Sequence, residues 1–482
     1  MRISEHFQVG KSQAELDFVD IDTSTDMPLF LDSHFLACRQ DNWSRTATRT
    51  IRSFFQHLLD LLSSGRIEDA RQVFSHLSEP NETCLGLSKA RPQGRGVGPE
   101  NTQDIFDSLL ESRAVETGLL EDLEDCVIMV DNFGRDKLSD MTTNIIRKQL
   151  IDYTQAQCDI WSIPLQPGVP SGFFWNPADL RWENEHTQML VVDSRKILLV
   201  PKGIVCFSHG YSQQKYHTHF VLNFLQSEHL RLRSALVQRK LKKNGAIHEF
   251  VTKKSVKETE SPGKKHDLRE FTRKHPAIFE NFKNFNKKPK RSLRNEDLIP
   301  LRIEEIVDHL ISNLRATPAG NDAAGDYHTL IMGILELLFY PSLIAPTKEV
   351  RIHQGRKRID ITFDNAADEG LFFELHNLHR LTCPFLIVEC KNYSGDPENP
   401  ELDQLSGRFS PNRGRVGILV CRGISNMNAF LQRCNDTCRD DRGLILPITD
   451  DDIIDALEQV KNGNSSPLEE TLRNRRRIVQ AG

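Results

Sequence analysis

The sequence predicts a mixed α/β protein in two parts: a C-terminal domain with a central mixed sheet flanked by helices, and a separate mixed α/β domain before it. Three observations carry this. Beyond residue 299, helical and strand patterns follow the order α-β-β-(α)-β-α-β-α-β-α, which folds as one sheet between helices. The run Val416-Gly417-Ile418-Leu419-Val420-Cys421 is almost wholly apolar, as strands buried in mixed sheets are. A chain of 482 residues also holds two or three domains, each long enough for its own core.

Residues 1–230 form the first domain in this reading. Ile51 to Leu62 is an apolar-faced helix ended by Gly65, and Ile67 to Leu77 is its antiparallel partner. Ile105 to Leu110 and Asn144 to Tyr153 are helical, whereas Leu190 to Val192 and Lys196 to Val200 are short strands. Glu15, Asp17, Asp20 and Asp22 read as an exposed strand edge. Asp140 or Thr143 reads as a helix N-cap. The glycines at 94–98 lack the Lys-Ser/Thr of a phosphate-binding loop and are assigned to a loop. His217/His219 and His376/His379 have no third ligand nearby and are taken as structural.

Residues 231–298 are a basic linker or nucleic-acid-binding segment. Between Arg231 and Arg294 stand 20 Lys or Arg against six acids, in a chain whose net charge is −5. Phe271, Phe279, Phe282 and Phe285 lie among these charges. Neutralising phosphates with such a stretch gives sequence-independent, salt-sensitive affinity. The alternative is a solvated linker or helix face.

From residue 299 to 465 the elements alternate. Ile303 to Leu314 and Tyr327 to Phe339 are helices, the second stopped by Pro341. Lys348 to Phe363 is a hairpin turning at Gln354-Gly355. Strand 385–390 follows, then a helix from Pro400, strand 416–421, a helix from Asn426 to Arg439, strand 443–447 and a helix from Asp450 to Val460. Residues 466–482, with Arg473, Arg475, Arg476 and Arg477, are expected to be a disordered basic tail.

The chemistry sits on the middle strand. Side chains alternate along a strand, so Glu389 and Lys391 share one face while Cys390 turns away. An acid and an ammonium side by side at the end of an apolar strand are costly unless they share a partner such as a metal ion. Asp360 is the inward acid of the neighbouring strand. Hard divalent cations such as Mg²⁺ take oxygen ligands and keep waters for substrate, so two carboxylates suffice. Mg²⁺, with Mn²⁺ as its substitute, is the expected cofactor.

These residues resemble the PD-(D/E)XK superfamily, the restriction-endonuclease-like nucleases, over roughly residues 299–465. By position Asp360 corresponds to the motif's Asp, Glu389 and Lys391 to its Glu-x-Lys, and Glu336 to the acid of the opening helix. Gln404 corresponds to the polar residue on the next helix. Ile359 replaces the motif's Pro, and the 29 positions from Asp360 to Glu389 require an insertion, which Ala366 to Leu381 supplies. The resemblance implies a restriction-endonuclease-like domain and a metal-dependent endonuclease acting on DNA. In that picture Asp360 and Glu389 hold the metal, Lys391 activates water, and Lys357, Arg358, Arg408 and Arg413 grip the scissile strand. A bacterial restriction or anti-phage effector is the implied role, the N-terminal domain sensing a trigger, a partner or a DNA feature. The alternatives are a catalytically inactive DNA-binding or assembly subunit and an RNA-cleaving effector. An activating protein partner or a homo-oligomer is left open.

No apolar run reaches the ~18–20 residues of a membrane span, and the first residues lack an apolar signal region. The ten cysteines include no Cys-x-x-Cys, which argues against a zinc site and for reduced thiols. A cytoplasmic protein without a membrane partner is the expectation.

Overall fold

A computed structural model describes residues 1–77, 79–86, 99–207, 211–243, 246–261, 263–287, 292–352, 354, 356–379 and 381–481. The glycine loop at 94–98, residues 288–291 of the basic cluster and Gly355 of the hairpin turn lie outside the described residues. The chain is mixed α/β. Its largest sheet has five strands: β1 (Leu343–Ile352), β2 (Lys357–Asn365), β3 (Phe385–Lys391), β4 (Val416–Cys421) and β5 (Leu444–Thr449), in that spatial order. β1, β2 and β3 pair antiparallel, and β3, β4 and β5 pair parallel.

The connections explain the change of direction. Antiparallel neighbours can be joined directly, but parallel ones need a crossover, here a helix each time. Helices α1 (Ile303–Ala316) and α2 (Ala324–Phe339) precede the sheet. Helix α3 (Asn399–Ser406) joins β3 to β4, α4 (Met427–Arg439) joins β4 to β5, and α5 (Asp450–Lys461) and α6 (Pro467–Ala481) follow. Every residue of β4 and β5 is buried, as strands covered on both faces must be. α2 stops at Phe339 because Pro341 disfavours helical backbone in the residue before it. α5 opens on a capping box: the Asp452 carboxylate accepts from the Thr449 amide at 2.7 Å while the Thr449 hydroxyl accepts from the Asp452 amide.

The basic tail is corrected by the structure. It is helix α6, with Leu468, Leu472 and Val479 buried and Arg475 paired with Asp452 at 2.7 Å. Leucines four apart and a valine seven further on form a helical stripe that the arginine run obscured. The insertion after β2 is helical, with Gly370–Phe373 leading into a π-turn at Glu374–Leu378.

The N-terminal region is mainly helical, with short hairpins. The helix expected at 51–62 spans Asn42–Ser63, capped by Asp41, whose carboxylate accepts from the Ser44 amide at 2.8 Å. Helices Arg135–Ile145 and Arg147–Ile160 replace the single one expected at 144–153. Gly134 is therefore the N-cap, and Asp140 and Thr143 lie within the first of them. The early acids are corrected too. Glu15, Asp17 and Asp20 are buried, not exposed.

The described residues between 231 and 298 are folded. A hairpin, Gln238–Leu241 with Ile247–Phe250, is followed by helices Lys253–Thr259, Lys265–Lys274, Pro276–Asn286 and Asn295–Leu298. Several cations of this stretch are used for packing against the preceding region. Lys265 donates to the carbonyls of Val130 and Phe133 at 2.6 and 2.8 Å, Arg269 to that of Met129 at 2.6 Å, and Lys283 pairs with Asp125 at 2.9 Å. Phe279 and Phe282 are core residues that meet the Tyr216 ring edge-on and tilted, respectively.

The N-terminal and C-terminal regions meet through buried polar contacts. The Trp43 amide donates to Asp364 at 2.8 Å, the Ala345 amide donates to Asp17 at 3.0 Å, and Lys202 lies 3.1 Å from Glu336. Among the described residues, no helix is long and apolar enough to cross a membrane.

Candidate active site

The site begins where β2 and β3 part. Their paired residues run from Asp364 opposite Phe385 to Ile361 opposite Val388 and stop, although both strands continue. The next residues on each side are Asp360 and Glu389. Beyond the last pair, the Cys390 amide donates to the Asp360 carboxylate at 3.0 Å, a side chain standing in for the missing backbone partner. On its other edge β3 keeps its register with β4, Glu389 beside Leu419 and Lys391 beside Cys421. The sheet is thus held on one side and open on the other.

Glu389 is 1% exposed, and the Lys391 side chain is 12% exposed. Lys391 Nζ donates to Glu389 Oε1 at 3.1 Å and to Gln404 Oε1 at 2.8 Å. The Gln404 amide nitrogen in turn donates to Glu389 Oε1. Gln404 arrives on α3, which packs close because β4 carries Gly417. A Cβ there would meet the Leu405 side chain and the Phe409 ring at 3.0 Å. A triangle of acid, lysine and amide results, and Glu389 Oε2 is left buried with no hydrogen-bond partner among the described residues. Burial, and then the neighbouring Asp360 charge, push the Glu389 carboxyl above its ordinary value, with Lys391 opposing them.

The loop after β3 is pinned. Asn392 donates to the carbonyls of Pro318 and Gly320 at 3.1 and 2.8 Å and accepts from Arg422 at 2.7 Å. Arg422 also pairs with Asp450 at 2.9 Å. Residues 317–323, between α1 and α2, are thereby fastened to the end of β3 beside Lys391.

Four of the five residues expected to be catalytic come together: Asp360, Glu389, Lys391 and Gln404. Glu336 does not. It is 1% exposed, facing Lys202, and its carboxyl is pushed up to about 8 chiefly by burial. Lys202 Nζ is close enough for an ion pair but out of line for a hydrogen bond, and neither Glu336 oxygen has a hydrogen-bond partner. The correction has a geometric cause. Helix α2 meets the open fork near its start, at His328, and eight residues at ~1.5 Å rise carry Glu336 about 12 Å away. The residue of α2 that does face the site is His328, whose Nε2 stands 3.9 Å from Asp360 Oδ2. Burial lowers the His328 pKa, against the pull of Asp360. Its place near the start of α2, eight residues before Glu336, is the signal that could have found it.

The four expected phosphate-gripping cations divide. Arg408 lies near enough to Glu389 to stabilise its charge, and its Nε is buried without a hydrogen-bond partner. Lys357 donates to the Gly407 carbonyl at 3.2 Å and Arg413 to the Arg408 carbonyl at 3.0 Å, so both frame the turn that follows α3. Arg358 is engaged with Glu349 at 3.2 Å in an exposed pair.

The donor set suits a hard cation. Two carboxylates at a fork, one with a buried oxygen lacking any partner, offer oxygen ligation. Among the described residues no cluster of three or more His, Cys, Asp or Glu side chains could hold a metal ion. Waters or substrate oxygens would complete the shell.

Residues 8–212 match a family model described as a domain of unknown function, DUF8370. No curated protein and no solved structure matches the chain. The family match ends before the five-stranded sheet, so it does not bear on Asp360, Glu389 or Lys391.

Proposed function

We propose that this protein is a metal-dependent endonuclease of the PD-(D/E)XK type that hydrolyses DNA phosphodiesters. One observation carries the reading: at the mouth of the β2/β3 fork, Glu389 presents a buried oxygen without a partner beside Asp360, next to a lysine held by Gln404. A buried carboxylate that feels a second acid is costly to ionise unless a cation joins them. The order of helices and strands around it supports the same reading.

Asp360 and Glu389 would hold the ion, with the Cys390 carbonyl a third oxygen. Mg²⁺, when bound, polarises the phosphoryl oxygen and acidifies a coordinated water. Lys391 holds the attacking water in line and offsets the charge that builds on the phosphate. Gln404 restrains the Lys391 ammonium, removing rotamers that would otherwise have to be frozen during the reaction. Arg408 adds a positive charge at the edge of the site. Restriction or anti-phage defence is the biological role this reading suggests, with residues 1–230 as the sensing part.

The test is nicking of supercoiled plasmid in Mg²⁺ against EDTA, by the full chain and by Asp360→Asn and Lys391→Ala. Wild type should nick only with metal, and each variant should lose about 10²–10³-fold in rate. Undiminished nicking by either variant refutes the site. Plasmid binding without nicking by wild type points to the inactive DNA-binding subunit, and cleavage of labelled RNA alone points to an RNA-cleaving effector.

A further inference from the structure

The cations of residues 231–298 fall into two groups. Lys265, Arg269 and Lys283 are spent on packing, as described above. Others are not. Lys240, Lys242 and Lys243 are exposed and have no carboxylate partner among the described residues. Lys240 lies on, and Lys242 and Lys243 just beyond, the first strand of the hairpin Gln238–Leu241/Ile247–Phe250, which pairs with no other strand among the described residues and is exposed almost throughout.

The hairpin has two unlike faces. Its register sets Arg239 opposite Glu249, Lys240 opposite His248 and Leu241 opposite Ile247. Strand alternation puts Lys240 and Lys242 on one face with His248 and Phe250, whose rings stack at 5.8 Å. The other face carries Leu241 and Ile247 as a cross-strand pair near the tip, 70% and 66% exposed. A two-stranded ribbon is stable in water only with an anchor. Here the anchor is at the base, where Val251 is buried and its carbonyl accepts from Gln226 of the helix Leu222–Arg231. At the other end of the strands, Leu241 and Ile247 are exposed.

We infer that this ribbon is a DNA-binding element that seats in a groove of the duplex. Lys240, Lys242 and Lys243 contact phosphates, and the Leu241–Ile247 pair lies against base edges. Charge complementarity selects the partner: three uncommitted ammonium groups on a projecting strand pair match a phosphate backbone. A β-ribbon also fits the width of the major groove. Exposed aliphatic side chains at a DNA-reading tip pack against bases or between base steps. The inference deepens the nuclease reading by naming how its substrate is held, and it rests on that reading.

The experiment separates holding from cutting. Binding of a fluorescent 30-base-pair duplex is measured in EDTA by anisotropy, at several salt concentrations, for wild type, Lys240→Ala/Lys242→Ala/Lys243→Ala and Leu241→Ser/Ile247→Ser. The triple variant should bind at least about tenfold more weakly at 0.1 M salt, and its salt slope should fall by about 2–3. The double variant should weaken binding with the slope unchanged. Because the ribbon is exposed, circular dichroism and Tm should match wild type for both. Unchanged affinity and slope in the triple variant overturn the inference. So does selective, lysine-dependent binding to vesicles containing phosphatidylglycerol with none to duplex. If wild type nicks plasmid while the triple variant binds normally, the ribbon assignment falls and the nuclease reading stands. If binding depends on the ribbon but no nicking occurs with Mg²⁺, the reverse holds.

Discussion

Two clusters in this protein contain the same chemical parts, two carboxylates and one lysine, in opposite settings. At the β2/β3 fork stand Asp360, Glu389 and Lys391. Between the N-terminal region and α2 stand Asp17, Glu336 and Lys202, with Lys202 0% and both acids 1% exposed. In the second cluster protein groups close every side. The Tyr153 hydroxyl donates to Asp17 at 2.6 Å, the Ala345 amide donates to it at 3.0 Å, and the Lys202 ammonium lies over the Tyr340 ring at 4.2 Å. At the fork, the Asp360 and Lys391 side chains keep 13% and 12% of their surface in solvent. Composition is therefore no guide to role here. Access is. The closed cluster can only join two regions, while the open one can exchange a ligand.

The largest effect expected from this contrast is on stability. Lys202→Ala leaves Asp17 and Glu336 buried without a cation, and breaking a buried pair from one side costs about 3–5 kcal/mol. Chemical denaturation should show that loss, or the variant should be insoluble. Lys391→Ala, by contrast, should leave the denaturation midpoint near wild type while nicking slows about 10²–10³-fold. A comparable collapse of Lys391→Ala would erase the distinction between the clusters.

Next in size is a pH effect at the closed cluster. Glu336 has a folded-state pKa of about 8 against 4.5 ordinarily, with burial the main cause. A raised carboxyl pKa favours folding most below the unfolded value and loses that contribution as pH rises through the folded one. Wild type should therefore lose stability between about pH 5 and pH 9. Glu336→Gln should flatten that fall, with a higher Tm than wild type at pH 9 and little difference at pH 5. Its nicking rate should match wild type. A pronounced rate loss would return Glu336 to the site.

These two clusters also mark what could be read from the residues. The fork was legible because its parts are local: an apolar strand ending in Glu-x-Lys and a hairpin strand bearing one inward acid. Strand β4 was legible from its unbroken apolar run. Glu336 was misread because an acid on an apolar helix looks the same whether it meets a metal or a distant lysine. Its partner lies 134 positions earlier, at Lys202, and no local pattern encodes that. His328 was passed over for the converse reason, a single histidine in a helix start having no periodicity to mark it. Asp17 shows the same gap, since its partners Tyr153 and Ala345 lie far along the chain.

A smaller effect tests the metal directly, without activity. If Mg²⁺ binds the fork and not the unfolded chain, it stabilises the fold by about 1.4 kcal/mol at ten times its dissociation constant. Thermal shift should rise with Mg²⁺ for wild type and for Glu336→Gln. It should not rise for Asp360→Asn. Equal shifts in all three would place the ion elsewhere.

The smallest expected effect is at Gln404. It makes no covalent step and holds no ion; it accepts from Lys391 at 2.8 Å and donates to Glu389, so its loss loosens the lysine without removing it. A freed lysine side chain regains rotamers worth about 1–2 kcal/mol, and only part of that must be lost again at each turnover. Gln404→Ala should therefore nick about three- to tenfold more slowly at saturating Mg²⁺, with the Mg²⁺-dependent thermal shift retained. Gln404→Glu should be slower still: a third carboxylate facing Glu389 tightens Lys391 but adds like charge to a buried acid already raised by Asp360. If Gln404→Ala instead abolished both nicking and the Mg²⁺ shift, the amide would be organising the acid pair itself. The open cluster would then depend on its surroundings as completely as the closed one does.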